Sequence, residues 1–458
     1  MSSTSLGRLI PAVFTALALP ALAHAADAIP PTDPNAALDR ALQGLAPGSP
    51  GPAASQAAAP ATSAPLMQIG GAGGSPTLKL ADISLDINTV AGTSTATDAQ
   101  IADLQGGDHD PKRRGFSLQQ AELSLFGAVD PYFNAEAHIV FKSDAVELEE
   151  AYGTSTSLPA GLQLKVGYYL TEFGRTNPQH PHQWPWLDQP VVNTRMFGPD
   201  GNRGVGARLS WLTPLPWFSE LFLGVQNPDD DTEHSFLGGE VDANGVKTTV
   251  GGRPAVEHPT GNLGDMLIST RWVNNWELPR NVMMQFGASA AFGPNATGAS
   301  AHTTIVGADL LVKWREGTRG YPNVAWQSEV IGRVFHADPG SDPLTAAAIP
   351  NDTLRDWGLS SQVVVGLDPR WAVGVRIDHA TGSGDSYEIG TGAIDRQSDP
   401  LRDDRWRLSP LITFNPTEFS KVRLQYDYDH AEHLPDQAAH SVWLGLELMI
   451  GAHPAHTY

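Results

Sequence analysis

The feature that most restricts this chain is a period-two alternation of apolar and polar residues that recurs to the C-terminus, with no apolar run of about 18 residues beyond the N-terminal segment. From Gln119 to Val129, Ala121, Leu123, Leu125 and Val129 alternate with Gln120, Glu122 and Ser124. From Tyr132 to Phe141, Phe133, Ala135, Ala137, Ile139 and Phe141 alternate with Asn134, Glu136 and His138, and Asp130-Pro131 joins the two runs as a hairpin. A chain built this way crosses a membrane, if it does so, with strands.

About sixteen such runs follow one another, starting near Leu78, Gly115, Tyr132, Ala145, Gly161, Arg203, Phe218, Leu263, Asn281, Thr303, Tyr321, Arg355, Arg370, Asp403, Glu418 and Ala439. Short turns at Asp130-Pro131, at 277–280, at Asp368-Pro369 and at Asn415-Pro416-Thr417 alternate with long connections rich in Asp, Gly, Pro and Asn. That alternation predicts an all-β transmembrane antiparallel barrel of about sixteen strands, with periplasmic turns and external loops. A soluble sandwich also alternates its faces. It would not need so many successive strands, nor aromatic residues near strand ends such as Tyr132, Trp211, Trp217, Trp272, Trp276, Trp314, Trp371, Phe414 and Phe419, which read as interfacial girdles.

The N-terminus fits export. Arg8 precedes the apolar segment Leu9 to Ala23, and Ala23-His24-Ala25 offers small residues for cleavage, so residues 1–25 read as a signal peptide. Residues 26–76 are so rich in Ala, Pro, Gly and Ser that they read as a flexible periplasmic tether, and 77–458 as the barrel. Without cysteine there is neither a disulfide framework nor a thiolate metal site. A net charge of -21, from 50 acids against 29 bases, argues against a nucleic-acid partner. No nucleophile elbow or phosphate loop occurs, so no enzyme is expected.

In a membrane barrel the polar faces line the lumen. The alternation therefore assigns a basic set, Arg208, Lys313, Arg333, Arg376, Arg405, Arg407, Lys421 and Arg423, and an acidic set, Glu122, Glu136, Asp309, Glu329, Asp378, Asp427 and Glu447. Two readings stand. Either the basic ladder biases an aqueous pore towards anions, or these residues pair with the neighbouring acids.

Between the fifth and sixth strands lies YLTEFGRTNPQHPHQWPWLDQPVVNTRMFGPDGNR, from Tyr169 to Arg203. It lacks either periodicity and reads as a long ordered loop, the third on the external side. His180, His182, Trp184, Trp186 and Asp188 are its candidate functional residues, first as a pore constriction. His180, His182 and Asp188 are also ligand types suited to zinc. The tail Gly451-Ala452-His453-Pro454-Ala455-His456 spaces its histidines in a similar way, while Asp229-Asp230-Asp231 and Asp108 to Arg114 read as solvated loops, the latter able to meet lipopolysaccharide phosphates.

The runs GFSLQQAELSLFGAVDPYFNAEAHIVF and ELEEAYGTSTSLPAGLQLKVGYYLTEFGRTN resemble the phosphate-selective porin O and P family. That resemblance implies a sixteen-stranded, usually trimeric, diffusion channel for small solutes or ions in the outer membrane of a Gram-negative bacterium. Its phosphate-binding lysines cannot be placed on this sequence, so the resemblance carries over no substrate. The stretch HPHQWPWLDQPVVNTRMFGPDGNRGVGARLSWLTP, with the GAHPAH tail, is similar to porin-like proteins named zinc-regulated TonB-dependent outer-membrane receptors. The name implies zinc-linked expression and uptake, but a plug domain is missing and about sixteen strands fall short of the 22 or so of plugged transporters. The expectation is a passive porin, with a zinc-uptake barrel and a non-conducting adhesin or envelope-anchoring barrel as alternatives.

Overall fold

The computed structural model describes residues 68–69, 78–79, 81–317 and 320–451. The expected signal peptide, nearly all of the tether and the histidine-bearing tail lie outside the described residues. Sixteen antiparallel strands form one closed barrel. In chain order they are β1 (Asp82–Ser94), β2 (Gly115–Ala128), β3 (Phe133–Phe141), β4 (Val146–Ser155), β5 (Leu162–Leu170), β6 (Arg203–Leu212), β7 (Phe218–Gln226) and β8 (Leu267–Leu278). There follow β9 (Val282–Pro294), β10 (His302–Arg315), β11 (Asn323–Ala337), β12 (Asp352–Gly366), β13 (Trp371–Ser383), β14 (Arg405–Thr417), β15 (Ser420–Ala431) and β16 (Ala438–Gly451). Each strand pairs with its chain neighbours, and β16 closes on β1 from Ser441↔Ser94 to Gly451↔Ser84.

Turn chemistry sets one end. Asp130 Oδ1 accepts from the backbone N–H of Tyr132 (2.7 Å) and Phe133 (2.9 Å), and Asp368 Oδ1 accepts in the same way from Arg370 (2.7 Å) and Trp371 (2.9 Å). An Asp-Pro-x-aromatic sequence thus builds the same turn twice, with proline fixing φ and aspartate satisfying the backbone. Between β8 and β9 the reversal uses positive φ at Arg280 (66°) and Asn281 (58°), as a tight hairpin requires. The expected turn at Asn415-Pro416-Thr417 falls instead on the end of β14, where the register shifts between Phe414 and Thr417; the chain reverses at 418–419.

The opposite end carries connections at 95–114, 171–202, 227–266, 338–351 and 384–404. Short helices sit in the first two, α1 (Asp98–Leu104) and α2 (Val191–Phe197). A capping box at Thr97 starts α1, and its Ile101 and Leu104 pack with Val90 and Trp443 inside the wall.

The outer surface is apolar strand after strand. Val373, Val375 and Ile377 on β13, and Val442, Leu444, Leu446 and Leu448 on β16, are all exposed while their sequence neighbours point inward. A belt of this size would be untenable in water and matches a lipid-facing band. Trp211, Trp217, Trp314, Trp371 and Phe419 gather at the short-turn end, and Phe116, Phe292, Trp357 and Trp406 towards the long-loop end. Trp272 differs from expectation in lying halfway along β8, from where it donates to Ser219 Oγ at 3.0 Å near the start of β7.

Candidate functional site

The segment after β5 enters the lumen and meets the wall on nearly every side. Near its start Gly174 N–H donates to Ser289 Oγ on β9 (3.0 Å), Arg175 to Gln285 on β9 (2.7 Å), and Thr176 Oγ1 to Glu329 on β11 (2.6 Å). Farther on, Trp186 Nε1 donates to the Ser409 carbonyl on β14 (2.9 Å) and Leu187 N–H to Gln425 on β15 (2.8 Å). Phe173, Val192, Met196 and Phe197 pack with Leu267, Ala291, Ile305 and Ile331 of β8 to β11. Buried hydrogen bonds at both extremes fix the path of an otherwise irregular stretch.

Asp188 is the anchor on one side. Its carboxylate accepts from Arg376 at 2.8 Å, from Arg407, and from Gln425 at 2.9 Å, with none of its surface left to solvent worth the name at 1%. Burial opposes its charge, but Arg376 and Arg407 outweigh burial and hold the carboxyl below its ordinary range. Arg376 also lies over the Trp186 ring, 5.4 Å from its centre. Two carbonyls of the loop, Trp184 and Trp186, accept from Arg423 at 3.0 Å each.

The basic ladder is therefore a ladder of ion pairs. Arg333 meets Asp356 (2.8 Å), Arg376 meets Asp378 (2.8 Å) as well as Asp188, Arg405 (2.7 Å) and Arg407 (2.8 Å) share Asp429, and Lys421 and Arg423 share Glu447 at 2.8 Å each. Arg208 pairs with Glu172 of the loop. Register explains much of this: Arg333↔Asp356, Asp378↔Arg407, Arg407↔Asp429 and Lys421↔Glu447 are direct cross-strand partners. Of the two readings of the ladder, pairing is the one this geometry carries. Lys313 is half-buried on β10. Among the acids, Asp309 is held by Arg271 (2.7 Å), Glu329 accepts from Thr176, and Asp427 accepts from Ser409 (2.5 Å) and Trp443 Nε1 (3.0 Å).

The side chains of His180 and His182 turn to the glutamates of β2 and β4 and not to the arginines that hold Asp188. His180 Nδ1 lies 3.0 Å from Glu149 and its Nε2 2.9 Å from Glu150, both on β4, while His182 Nδ1 lies 3.0 Å from Glu122 on β2. His138 of β3 joins them, with Nδ1 2.9 Å from Glu122 and Nε2 3.3 Å from Glu136. The expected set His180, His182 and Asp188 is thus not assembled as such: Asp188 is committed to two arginines, and Glu122 takes its place beside the histidines. Burial works against charge on His180, but Glu122, Glu149 and hydrogen bonds to Glu149 and Glu150 hold its proton well above the ordinary histidine range.

A β-bulge makes this possible. His138 pairs with Glu150 and Ile139 with Leu148, so Glu149 is the extra residue, and Glu149 and Glu150 are both buried in the lumen. Strict alternation would have sent one of the two outward. A second bulge leaves Gln119 unpaired on β2, and its side-chain amide donates to the Leu187 carbonyl at 2.7 Å.

Together, the closed wall, the lipid-facing belt and the loop-filled polar lumen define a sixteen-stranded barrel of the outer-membrane type. No family model matches the sequence. An uncharacterized protein of Aquifex aeolicus (strain VF5) is 29% identical over 403 residues, covering 83% of this chain and 80% of its own length. The outer membrane channel DcaP of Acinetobacter baumannii superposes with a TM-score of 0.50 at 9% identity, over 81% of this chain and 97% of its own. An anion-selective porin from Comamonas acidovorans gives 0.48 at 7%, over 81% and 99%. At 9% identity the likeness to DcaP is one of fold alone.

Proposed function

We propose that the protein is an outer-membrane porin, exported and assembled as a homotrimer, that passes small hydrophilic solutes or ions by passive diffusion, with loop 169–202 as its constriction. The observation that carries this reading is the path of that loop. It leaves β5, reaches Glu329 on β11, meets Glu150 on β4 and Glu122 on β2 through its histidines, and anchors Asp188 on β13 and β14, opposite β5 in a ring of sixteen, with cavities of about 370 Å³ and 560 Å³ bordering it. The larger is lined by residues near the short turns, such as Phe126, Glu136, Gln163 and Glu220, and the smaller by the loops at 227–266 and 384–404. A loop between two vestibules is where resistance to diffusion concentrates. The sequence resemblance to phosphate-selective porins supports the same class without naming a solute.

Planar-bilayer recording tests it. Purified protein is expected to insert as discrete open channels; a bilayer that stays closed at every voltage would favour the envelope-anchoring alternative. Because Arg405, Arg407 and Arg423 are paired, and Arg407 and Arg423 also hold the loop, replacing all three by Ser is expected to change conductance while leaving the reversal potential in a salt gradient nearly unmoved. A large loss of anion preference with unchanged conductance would restore the field reading of the ladder.

A further inference from the structure

We infer that Glu122, His138 and His180 form a binding site for one divalent cation of borderline softness, such as zinc, where the loop at 171–202 docks on the wall of the barrel. One ligand atom from each of the three lies within 4.8 Å of the other two. Glu122 Oε1 is 2.9 Å from His138 Nδ1 and 3.7 Å from His180 Nδ1. A tetrahedral ion with bonds of about 2.1 Å spaces its ligand atoms roughly 3.4 Å apart, so these separations bracket what such an ion needs. Glu149, 3.0 Å from the same His180 nitrogen, is placed to supply a fourth oxygen.

Orientation of the rings is the independent observation. Both imidazoles turn Nδ1 towards Glu122 and Nε2 towards a further carboxylate, His138 to Glu136 (3.3 Å) and His180 to Glu150 (2.9 Å). When an ion binds, the Nδ1 proton leaves, and the imidazole, then neutral, keeps its one hydrogen on Nε2 for the carboxylate and gives the Nδ1 lone pair to the ion. That is how outer carboxylates orient histidines that bind metals. Charge points the same way. Among the described residues, none of Glu122, Glu136, Glu149 and Glu150 forms an ion pair with a lysine or arginine; their partners within that distance are histidines. Four carboxylates in or beside a buried pocket need compensating positive charge, and a divalent ion supplies it at one point. The bulge turns both Glu149 and Glu150 inward onto His180, and Glu150 also accepts from the Leu170 N–H at 2.7 Å. The cavity of about 560 Å³ borders Glu136, His138, Glu150 and His180, giving an ion a route from the short-turn half of the lumen.

The full-length barrel, folded in detergent and stripped with EDTA, is titrated with zinc chloride by calorimetry. One saturable zinc per chain is expected, with Co²⁺ competing and giving the visible absorption of a low-symmetry nitrogen and oxygen site. The double variant His138→Asn/His180→Asn is expected to lose it, and Glu136→Gln, which removes an outer partner, to weaken it about 10–100-fold. His379→Asn, on β13 and stacked on Trp406, is expected to leave it intact. No saturable zinc in the wild type overturns the site and leaves an imidazolium–carboxylate network in its place. So does unchanged affinity in the double variant shown to be folded by its heat-modifiable migration, or in Glu136→Gln should the double variant not fold. Binding is read without conductance, so failure of the porin reading and failure of this site are separable.

Discussion

Asp188→Ala is expected to destabilise the docked loop by about 3–5 kcal/mol, because it strands two buried guanidinium groups. Arg376 and Arg407 each expose 2% or less of their surface, and both direct a nitrogen at this one carboxylate. Asp378 and Asp429 remain as partners, at 2.8 Å each, which holds the loss to the lower end of that range. The measurement is the temperature at which the barrel ceases to migrate as a folded species on a gel, together with protease sensitivity between Tyr169 and Arg203. An unchanged midpoint and an uncut loop would refute the anchor. Linkage gives a second reading of the same contact. The folded carboxyl is held below its ordinary value of 3.8, so its contribution is complete above that pH and is lost as pH falls through the lowered folded value. Asp188→Asn should flatten the acid side of the stability profile.

Trp186→Ala is expected to cost about 3–5 kcal/mol of local stability. The indole exposes 1% of its surface, gives its N–H to the Ser409 carbonyl at 2.9 Å, and lies against Gly374, where an added Cβ would meet its ring at 3.2 Å. Gly374 is thus a cradle for the ring, and removing the ring opens a void that the rigid wall cannot close. Hydrogen exchange of the Leu187 and Gln189 amides, which donate to Gln425 and Asp110, should accelerate in this variant and remain slow in Trp186→Phe relative to it.

The barrel was legible because a closed antiparallel wall imposes one local rule on every strand. All sixteen expected starts fall within four residues of the observed ones, Leu78 against Asp82 and Leu263 against Leu267 being the widest. The lumen was less legible, for two physical reasons. Ion pairs there depend on register, so Arg407 beside Asp429 and Asp188, the latter 219 residues away, cannot be read from either sequence neighbourhood. Bulges suspend the period-two rule where the site needs it suspended, and Glu149 was missed on that account. Two adjacent glutamates inside an alternating strand were the available signal. Another lay in the inward positions Ile305 and Ile331, whose apolar character marks the part of the wall against which Phe173 and Phe197 pack.

Restriction of flow by loop 169–202 is read in the single-channel conductance of a chain in which residues 178–189 are replaced by a short Gly-Ser linker. This removes Trp186 and Asp188 with their wall contacts and keeps Gly174 to Thr176 on β9 and β11. The account predicts channels that open several-fold wider than those of the intact chain, as expected when the narrowest part of an aqueous path is removed. Equal conductance in a variant that folds and inserts would contradict it.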